Sequence, residues 1–263
     1  MMRIKAKGIQ MNYELSGRKD APVVVLSHSL GSSLKMWDPQ MEALEPHFKV
    51  VRYDTRGHGG TEAPAGAYTL EQLGEDAISL FNALGIDTVH WVGISMGGMI
   101  GQGLALNHTN RLQSLTLCDT AATIPKEAQP IWQERIDTAH DKGMQALVEP
   151  TLERWFTPSF LRQNPQILAL IRKQFLSTPV KGYIGCIEAI RKLNYLDRLS
   201  EIKMPTLIIV GEDDPGTPVA ASEAIHERII NSKLVVLPSA RHFSNVEQPE
   251  AFNAALMKFL KDL

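Results

Sequence analysis

The chain has almost no charge imbalance. Its 263 residues set 27 lysines and arginines against 29 aspartates and glutamates, a formal net charge of -2. Nucleic-acid binders show a basic excess or stripe, so this balance argues against that class. No run of like charges marks a tail or a membrane-surface patch. Long apolar runs are missing too, and nothing approaches the ~18 consecutive apolar residues of a membrane span. The N-terminus, Met1-Met2-Arg3-Ile4-Lys5-Ala6-Lys7-Gly8, is broken by charge before the apolar stretch of a secretory signal could form. Cysteine is scarce: Cys118 and Cys186 lie in apolar surroundings without metal-ligand spacing, and buried reduced thiols are expected. No cluster of His, Cys, Asp or Glu has the spacing of a metal site. No G-x-G-x-x-G or G-x-x-x-x-G-K-[ST] loop follows a strand to cradle phosphate. These absences lead to the expectation of a soluble cytoplasmic protein with no metal or cofactor, no nucleic acid and no membrane partner.

What is present is an alternation. Short β-branched apolar runs read as buried strands: Val23–Leu26, Val50–Tyr53, Val89–Ile94, Leu115–Leu117, Thr206–Val210 and Leu234–Leu237. They are continuously apolar, as strands of a sheet covered on both faces are. Amphipathic stretches lie between them. Leu70 to Leu84 puts Leu73, Ala77, Leu80, Phe81 and Leu84 on one helical face, and Gly98–Leu106, Ala220–Ile230 and Pro249–Leu263 also read as helices. Ile4 to Leu15, around Gly8, reads as an edge hairpin. The pattern is that of a mostly parallel, doubly wound α/β sheet. Residues 121–200 break it. They contain no convincing buried strand and are punctuated by Pro125, Pro130, Pro150, Pro158, Pro165 and Pro179. About eighty residues exceed what a loop in a compact domain holds. The expected organisation is an α/β core, 1–120 and 201–263, with a helical cap inserted at 121–200.

Gly93-Ile94-Ser95-Met96-Gly97-Gly98 follows a strand and precedes a small-residue helix. That is the context of a G-x-S-x-G nucleophile elbow, in which the turn is too tight for side chains at the flanking glycines. The helix N-terminus then favours negative charge developing at Ser95. In this motif's fold the order along the chain is Ser, acid, His. His226 lies within a helical run, whereas His242 follows the last strand on a loop able to reach Ser95. The acid belongs after the penultimate strand, where Asp213 and Asp214 compete on equal terms; Asp119 is a third candidate. The oxyanion donors are expected to be the backbone N–H groups of Met96 and of Leu30, with Ser29 the next choice. His28 reads as a hydrogen-bonding residue at a strand end. Asp54 and Arg56 read as braces between loops.

These motifs, with Gly211-Glu212-Asp213-Asp214-Pro215-Gly216-Thr217-Pro218 and His242-Phe243-Ser244-Asn245-Val246-Glu247-Gln248-Pro249, resemble the α/β-hydrolase superfamily. The narrower resemblance is to 3-oxoadipate enol-lactonases of the β-ketoadipate pathway. It rests on Ser27 to Gly31 followed by Met36-Trp37-Asp38-Pro39-Gln40, on Glu153-Arg154-Trp155-Phe156-Thr157-Pro158, and on Gly182-Tyr183-Ile184-Gly185-Cys186. It covers nearly the whole chain. Its G-x-x-D-x-x-T-P pattern puts the acid on Asp214. Phe243 departs from the family's usual leucine and His28 from its common asparagine, both near the pocket mouth. The resemblance implies a cofactor-free serine esterase that opens 3-oxoadipate enol-lactone to 3-oxoadipate. A carboxylate-bearing substrate calls for a cation in the pocket. Arg135 is the choice, sharing a helix face with Trp132; Arg154 and Trp155 lie nearby in the cap. Ser29, Trp132, Arg135, Trp155 and Phe243 are the expected substrate-facing residues. Two alternatives stay open: a general carboxylesterase for small neutral esters, and a low-turnover ligand receptor built on the same fold.

Overall fold

The structure is a computed structural model that describes residues 2–263. Eight strands form one sheet: β1 (Met2–Ala6), β2 (Ile9–Gly17), β3 (Val23–Ser27), β4 (Lys49–Tyr53), β5 (Val89–Ile94), β6 (Leu112–Cys118), β7 (Thr206–Gly211) and β8 (Ser232–Leu237). Their spatial order is β1-β2-β4-β3-β5-β6-β7-β8. The hairpin β1–β2 and its junction with β4 are antiparallel, and all other pairings are parallel. Every residue of β5 and of β7 is buried, because a parallel sheet is roofed on both faces by its crossover helices. β8 differs. Its apolar run resembles an interior strand, yet it pairs with β7 alone, and Val236 is 40% exposed at this sheet edge. Composition does not distinguish an edge strand from a central one when both are Val/Leu-rich.

The helices are α1 (Asp38–Leu44), α2 (Leu70–Ala83), α3 (Met96–Asn107), α4 (Gln129–Lys142), α5 (Gln145–Trp155), α6 (Pro158–Gln163), α7 (Pro165–Leu176), α8 (Val180–Ile190), α9 (Val219–Arg228), α10 (Ser244–Glu247) and α11 (Pro249–Lys261). α2 starts on Thr69, whose side chain accepts from Gln72 N–H, as a helix N-cap does. α3 packs on β5 and β6, and α11 packs on β7, β8 and α1. Among the described residues no helix is long and apolar enough to cross a membrane.

Helices α4 to α8 all lie between β6 and β7. The chain leaves the sheet at Ala122–Ile124 and returns at Leu193–Tyr195. The two legs are bonded at that neck, through Ile124 N–H to Leu193 O (3.2 Å) and Tyr195 N–H to Ala122 O (2.8 Å). The Gly182-Tyr183-Ile184-Gly185-Cys186 segment of α8 docks on the loop after β4: Tyr68 N–H donates to Gly185 O at 3.0 Å.

Candidate active site

The turn from β5 into α3 is held from several sides. Ser95 has φ 54° and ψ -116°, a conformation that costs a non-glycine residue roughly 1–3 kcal/mol and persists only where the surroundings enforce it. Here Ser95 N–H donates to Cys118 O (2.8 Å), Thr120 Oγ1 donates to Ser95 O (2.8 Å), and Met99 N–H does so at 3.0 Å. A Cβ on Gly93 would lie 2.2 Å from Gly97 O, and one on Gly97 would lie 2.2 Å from Ser27 O. The elbow therefore requires both glycines. The helix begins at Met96, immediately after Ser95 and two residues before the sequence-based start at Gly98. Periodicity alone could not locate a boundary set by one positive-φ residue.

The loops after β7 and β8 bring Asp214 and His242 together. His242 Nδ1 and Asp214 Oδ2 are 2.8 Å apart. Asp214 also accepts from Gly216 N–H (2.7 Å), Thr217 N–H (3.1 Å) and Thr217 Oγ1 (2.7 Å). Asp213 is exposed, so the two adjacent carboxylates divide into one facing the histidine and one facing solvent. Asp119 does not touch His242. Its Oδ1 accepts from Gly211 N–H (2.8 Å) and its Oδ2 from Ser244 Oγ (2.5 Å), which braces the start of the acid loop and the residues just past His242. Burial, followed by repulsion from Asp214, pushes the Asp119 carboxyl well above the usual range. Burial also tends to raise Asp214, but the adjacent His242 outweighs it and the net shift is downward. Burial tends to lower His242; Asp214, with a smaller push from Asp119, outweighs it and the net shift is upward, against an opposing effect of Arg154. His226 sits on α9 with Nδ1 2.7 Å from Ser232 Oγ.

The loop after β3 supplies the third edge of the site. Ser29 N–H is engaged with Met36 Sδ at 3.4 Å and Gly31 N–H with His58 Nε2 at 2.9 Å. Among the described residues Leu30 N–H, between them, has no partner. Met96 is the first residue of α3, where helix geometry leaves the N–H without an intrahelical acceptor. His28 is fully buried and bridges Ser29 O (2.7 Å) and Thr55 N–H (2.9 Å). Asp54 accepts from Asn12 Nδ2, Leu34 N–H and Gly60 N–H. Arg56 forms a buried two-point pair with Asp76 at 2.6 and 2.7 Å.

Ser95, His242, Ser29 and Leu30 line one cavity of about 450 Å³, closed by α4, α5, α7 and α8. Trp132, Arg135 and Trp155 face into it, with Arg154, Met99, Phe175, Tyr183 and Ile190. The Arg135 guanidinium lies over the Trp132 ring, 4.6 Å from its centroid. Burial lowers Arg135, and burial together with Arg135 pushes Arg154 down to about 10. Arg154 Nη2 donates to Thr151 Oγ1 at 2.8 Å. Among the described residues neither guanidinium has a carboxylate within ion-pair distance. Phe243 is placed differently from the sequence expectation. It is fully buried behind the cavity wall, stacked on Trp155 with ring centroids 4.0 Å apart, and does not line the cavity. Its chain neighbour His242 points inward, and on this loop the next side chain points away. Thr217 is bonded to both Asp214 and His242, and its only signal in the sequence is its place three residues after the acid in the G-x-x-D-x-x-T-P pattern. Among the described residues no group of three or more His, Cys, Asp or Glu could hold a metal ion.

Residues 22–249 match the family model described as the alpha/beta hydrolase fold, and the chain belongs to that family. The 3-oxoadipate enol-lactonase 2 of Acinetobacter baylyi is 38% identical over 258 residues, spanning 98% of this chain and 96% of that protein. The crystal structure of the enol-lactonase from Burkholderia xenovorans LB400 superposes with a TM-score of 0.96 at 39% identity, covering 99% of this chain and 100% of that one. A putative carbamate hydrolase RutD of Caulobacter sp. (strain K31) is 32% identical over 92% of this chain and 91% of its own length.

Proposed function

We propose that the chain is a cytoplasmic serine hydrolase that opens an anionic lactone, with 3-oxoadipate enol-lactone as the substrate and 3-oxoadipate as the product of an aromatic-degradation route. The observation that carries this reading is a shared cavity: Ser95, His242 and two guanidiniums without carboxylate partners all line it. A serine and a histidine suffice for an ester. Two half-buried cations beside them suit a substrate that brings a negative charge, since an Arg–carboxylate contact can be bidentate. The curated enol-lactonases to which the chain is similar support the same choice.

Ser95 Oγ attacks the lactone carbonyl as His242 takes its proton. Asp214, bonded to Nδ1, holds the imidazole tautomer and stabilises the imidazolium. The oxyanion rests on the N–H groups of Met96 and Leu30. His242 returns the proton as the enol oxygen leaves, and the enol tautomerises to the ketone. Water activated by His242 then releases the acid from Ser95. Residues 121–200 act as a cap that supplies Trp132, Arg135 and Trp155 to the substrate. No cofactor takes part in any step.

The test compares kcat/KM for the enol-lactone and p-nitrophenyl acetate in the wild type and in Ser95→Ala. A lactone preference of ~10³ or more, about 4 kcal/mol of transition-state discrimination, lost in the mutant, is the expected result. Equal rates on both esters would leave a general carboxylesterase. Lactone turnover that survives Ser95→Ala would overturn the mechanism.

A further inference from the structure

The loop that carries His242 is tied to the end of α5 by one buried side chain. Glu247 closes α10 and is 8% exposed. Its Oε1 accepts from Thr157 N–H (2.9 Å) and Thr157 Oγ1 (2.5 Å), and its Oε2 accepts from Arg241 N–H (2.8 Å). These are three donors from two sides, so only an acceptor on both oxygens meets them. Among the described residues no cation lies within ion-pair distance of Glu247. A buried carboxylate without a cation is costly unless hydrogen bonds hold it. The same two segments meet three times more. Phe243 N–H donates to Trp155 O at 3.1 Å, and the Arg241 guanidinium donates to Glu153 O and, at 3.4 Å, to Phe156 O. His242 thus sits between two residues whose N–H groups are both fixed by this junction.

We propose that Glu247 is a positioning residue for both halves of the site: it sets His242 and the cavity-facing end of α5, Arg154 and Trp155, in one fixed relation. The inference rests on the serine-hydrolase reading above. Its two arms separate. The Arg241 arm holds the base, and the Thr157 arm holds the residues that meet the substrate.

Three variants test this: Glu247→Gln, Thr157→Val and Thr157→Ser. Two readouts are followed, the steady-state kcat and KM on enol-lactone and p-nitrophenyl acetate, and the downfield proton resonance of His242 Nδ1–H in its bond to Asp214. Glu247→Gln turns an N–H₂ toward a donor. It is expected to shift or broaden that resonance and to cut kcat on both substrates by about tenfold or more, since small misplacements of reacting groups carry such factors. Thr157→Val is expected to raise KM for the lactone about tenfold while leaving kcat on p-nitrophenyl acetate and the resonance as in the wild type. Thr157→Ser keeps the hydroxyl and is expected to restore the wild-type KM. If Glu247→Gln does not fold, the KM-against-kcat split in Thr157→Val decides. The resonance needs no turnover, so it judges the placement of His242 even if Ser95→Ala remains active and the hydrolase reading fails. A lower melting temperature in Glu247→Gln, with resonance, kcat and KM per folded molecule unchanged, would overturn the proposal and leave a purely structural staple.

Discussion

At Ser95 the backbone and the side chain make opposite demands. The backbone is in a region that suits glycine, and the chemistry proposed here needs a hydroxyl. Replacing Ser95 by glycine removes strain worth roughly 1–3 kcal/mol and adds about 1 kcal/mol of unfolded-state entropy. Ser95→Gly is therefore expected to be inactive yet up to ~1–2 kcal/mol more stable than the wild type in urea unfolding. A less stable variant would mean that the conformation carries no such strain. His242 is set by the opposite kind of balance. Burial lowers it, but Asp214 and then Asp119 raise it above the ordinary histidine value of 6.5, against Arg154. In the proposed mechanism only the neutral imidazole can take the serine's proton, so the base is lost as pH falls through that raised value. The acid limb of kcat/KM is expected to have its midpoint above 6.5. In Asp214→Asn the largest upward influence disappears. The midpoint should then move down, with kcat lower by about 10³–10⁴-fold as the imidazole loses its tautomer. An unshifted limb in Asp214→Asn would assign the titration to another group.

The helices between β6 and β7 line the cavity that also holds Ser95 and His242, and α4 offers the clearest test of the proposed substrate. Trp132 and Arg135 are three residues apart, face the same cavity and are stacked. Arg135→Gln is expected to raise KM for the anionic lactone by about 10–100-fold, the loss of one charge-assisted contact of about 1.5–3 kcal/mol, and to leave p-nitrophenyl acetate nearly unaffected. Equal losses on both esters would assign Arg135 to packing. The Trp132–Arg135 pair was legible in the sequence because helix spacing alone puts the two on one face. So were the elbow, whose glycines are dictated by van der Waals contact, and the central strands such as β5 and β7, whose apolar runs follow from burial on both faces. Four features were not legible. The edge position of β8 depends on what fails to pair with it. The choice between Asp213 and Asp214 depends on which way one loop turns, and only the family pattern of Thr217 spacing resolved it. Phe243 needs the course of the loop through His242, because a residue adjacent to an inward-facing one can serve as the wall's backing. Glu247 was invisible for a related reason: its partners lie 90 residues away in sequence at Thr157 and 6 away at Arg241.

For the whole molecule, two buried histidines outside the proposed chemistry are expected to steepen the response to acid. His28 and His58 lie 5.2 Å apart beneath the loop that carries Leu30. In each ring Nδ1 faces a carbonyl, Ser29 O for His28 and Arg56 O for His58, so Nδ1 carries the proton. Each Nε2 accepts a backbone N–H, from Thr55 and Gly31 respectively, both at 2.9 Å. Protonation would set N–H against N–H in a fully buried site. Burial pushes His28 down to about 4, and burial with the neighbouring His28 pushes His58 down to about 3. The sign follows directly. Above pH 6.5 both residues are neutral in the folded and unfolded chains and contribute nothing to pH dependence. Below it the unfolded chain binds protons that the folded chain refuses, so stability falls as pH falls, until the folded values are reached. Each histidine contributes a slope of up to about 1.4 kcal/mol per pH unit in that window. Unfolding free energies measured between pH 6.5 and 4 are expected to drop steeply. In His58→Gln the amide oxygen can still accept from Gly31 N–H and the amide nitrogen can still donate to Arg56 O. This variant should be less steep by about one histidine's share, close to 1.4 kcal/mol per pH unit. An unchanged slope would mean that His58 is protonated in the folded chain and that the acid sensitivity lies with the carboxylates instead.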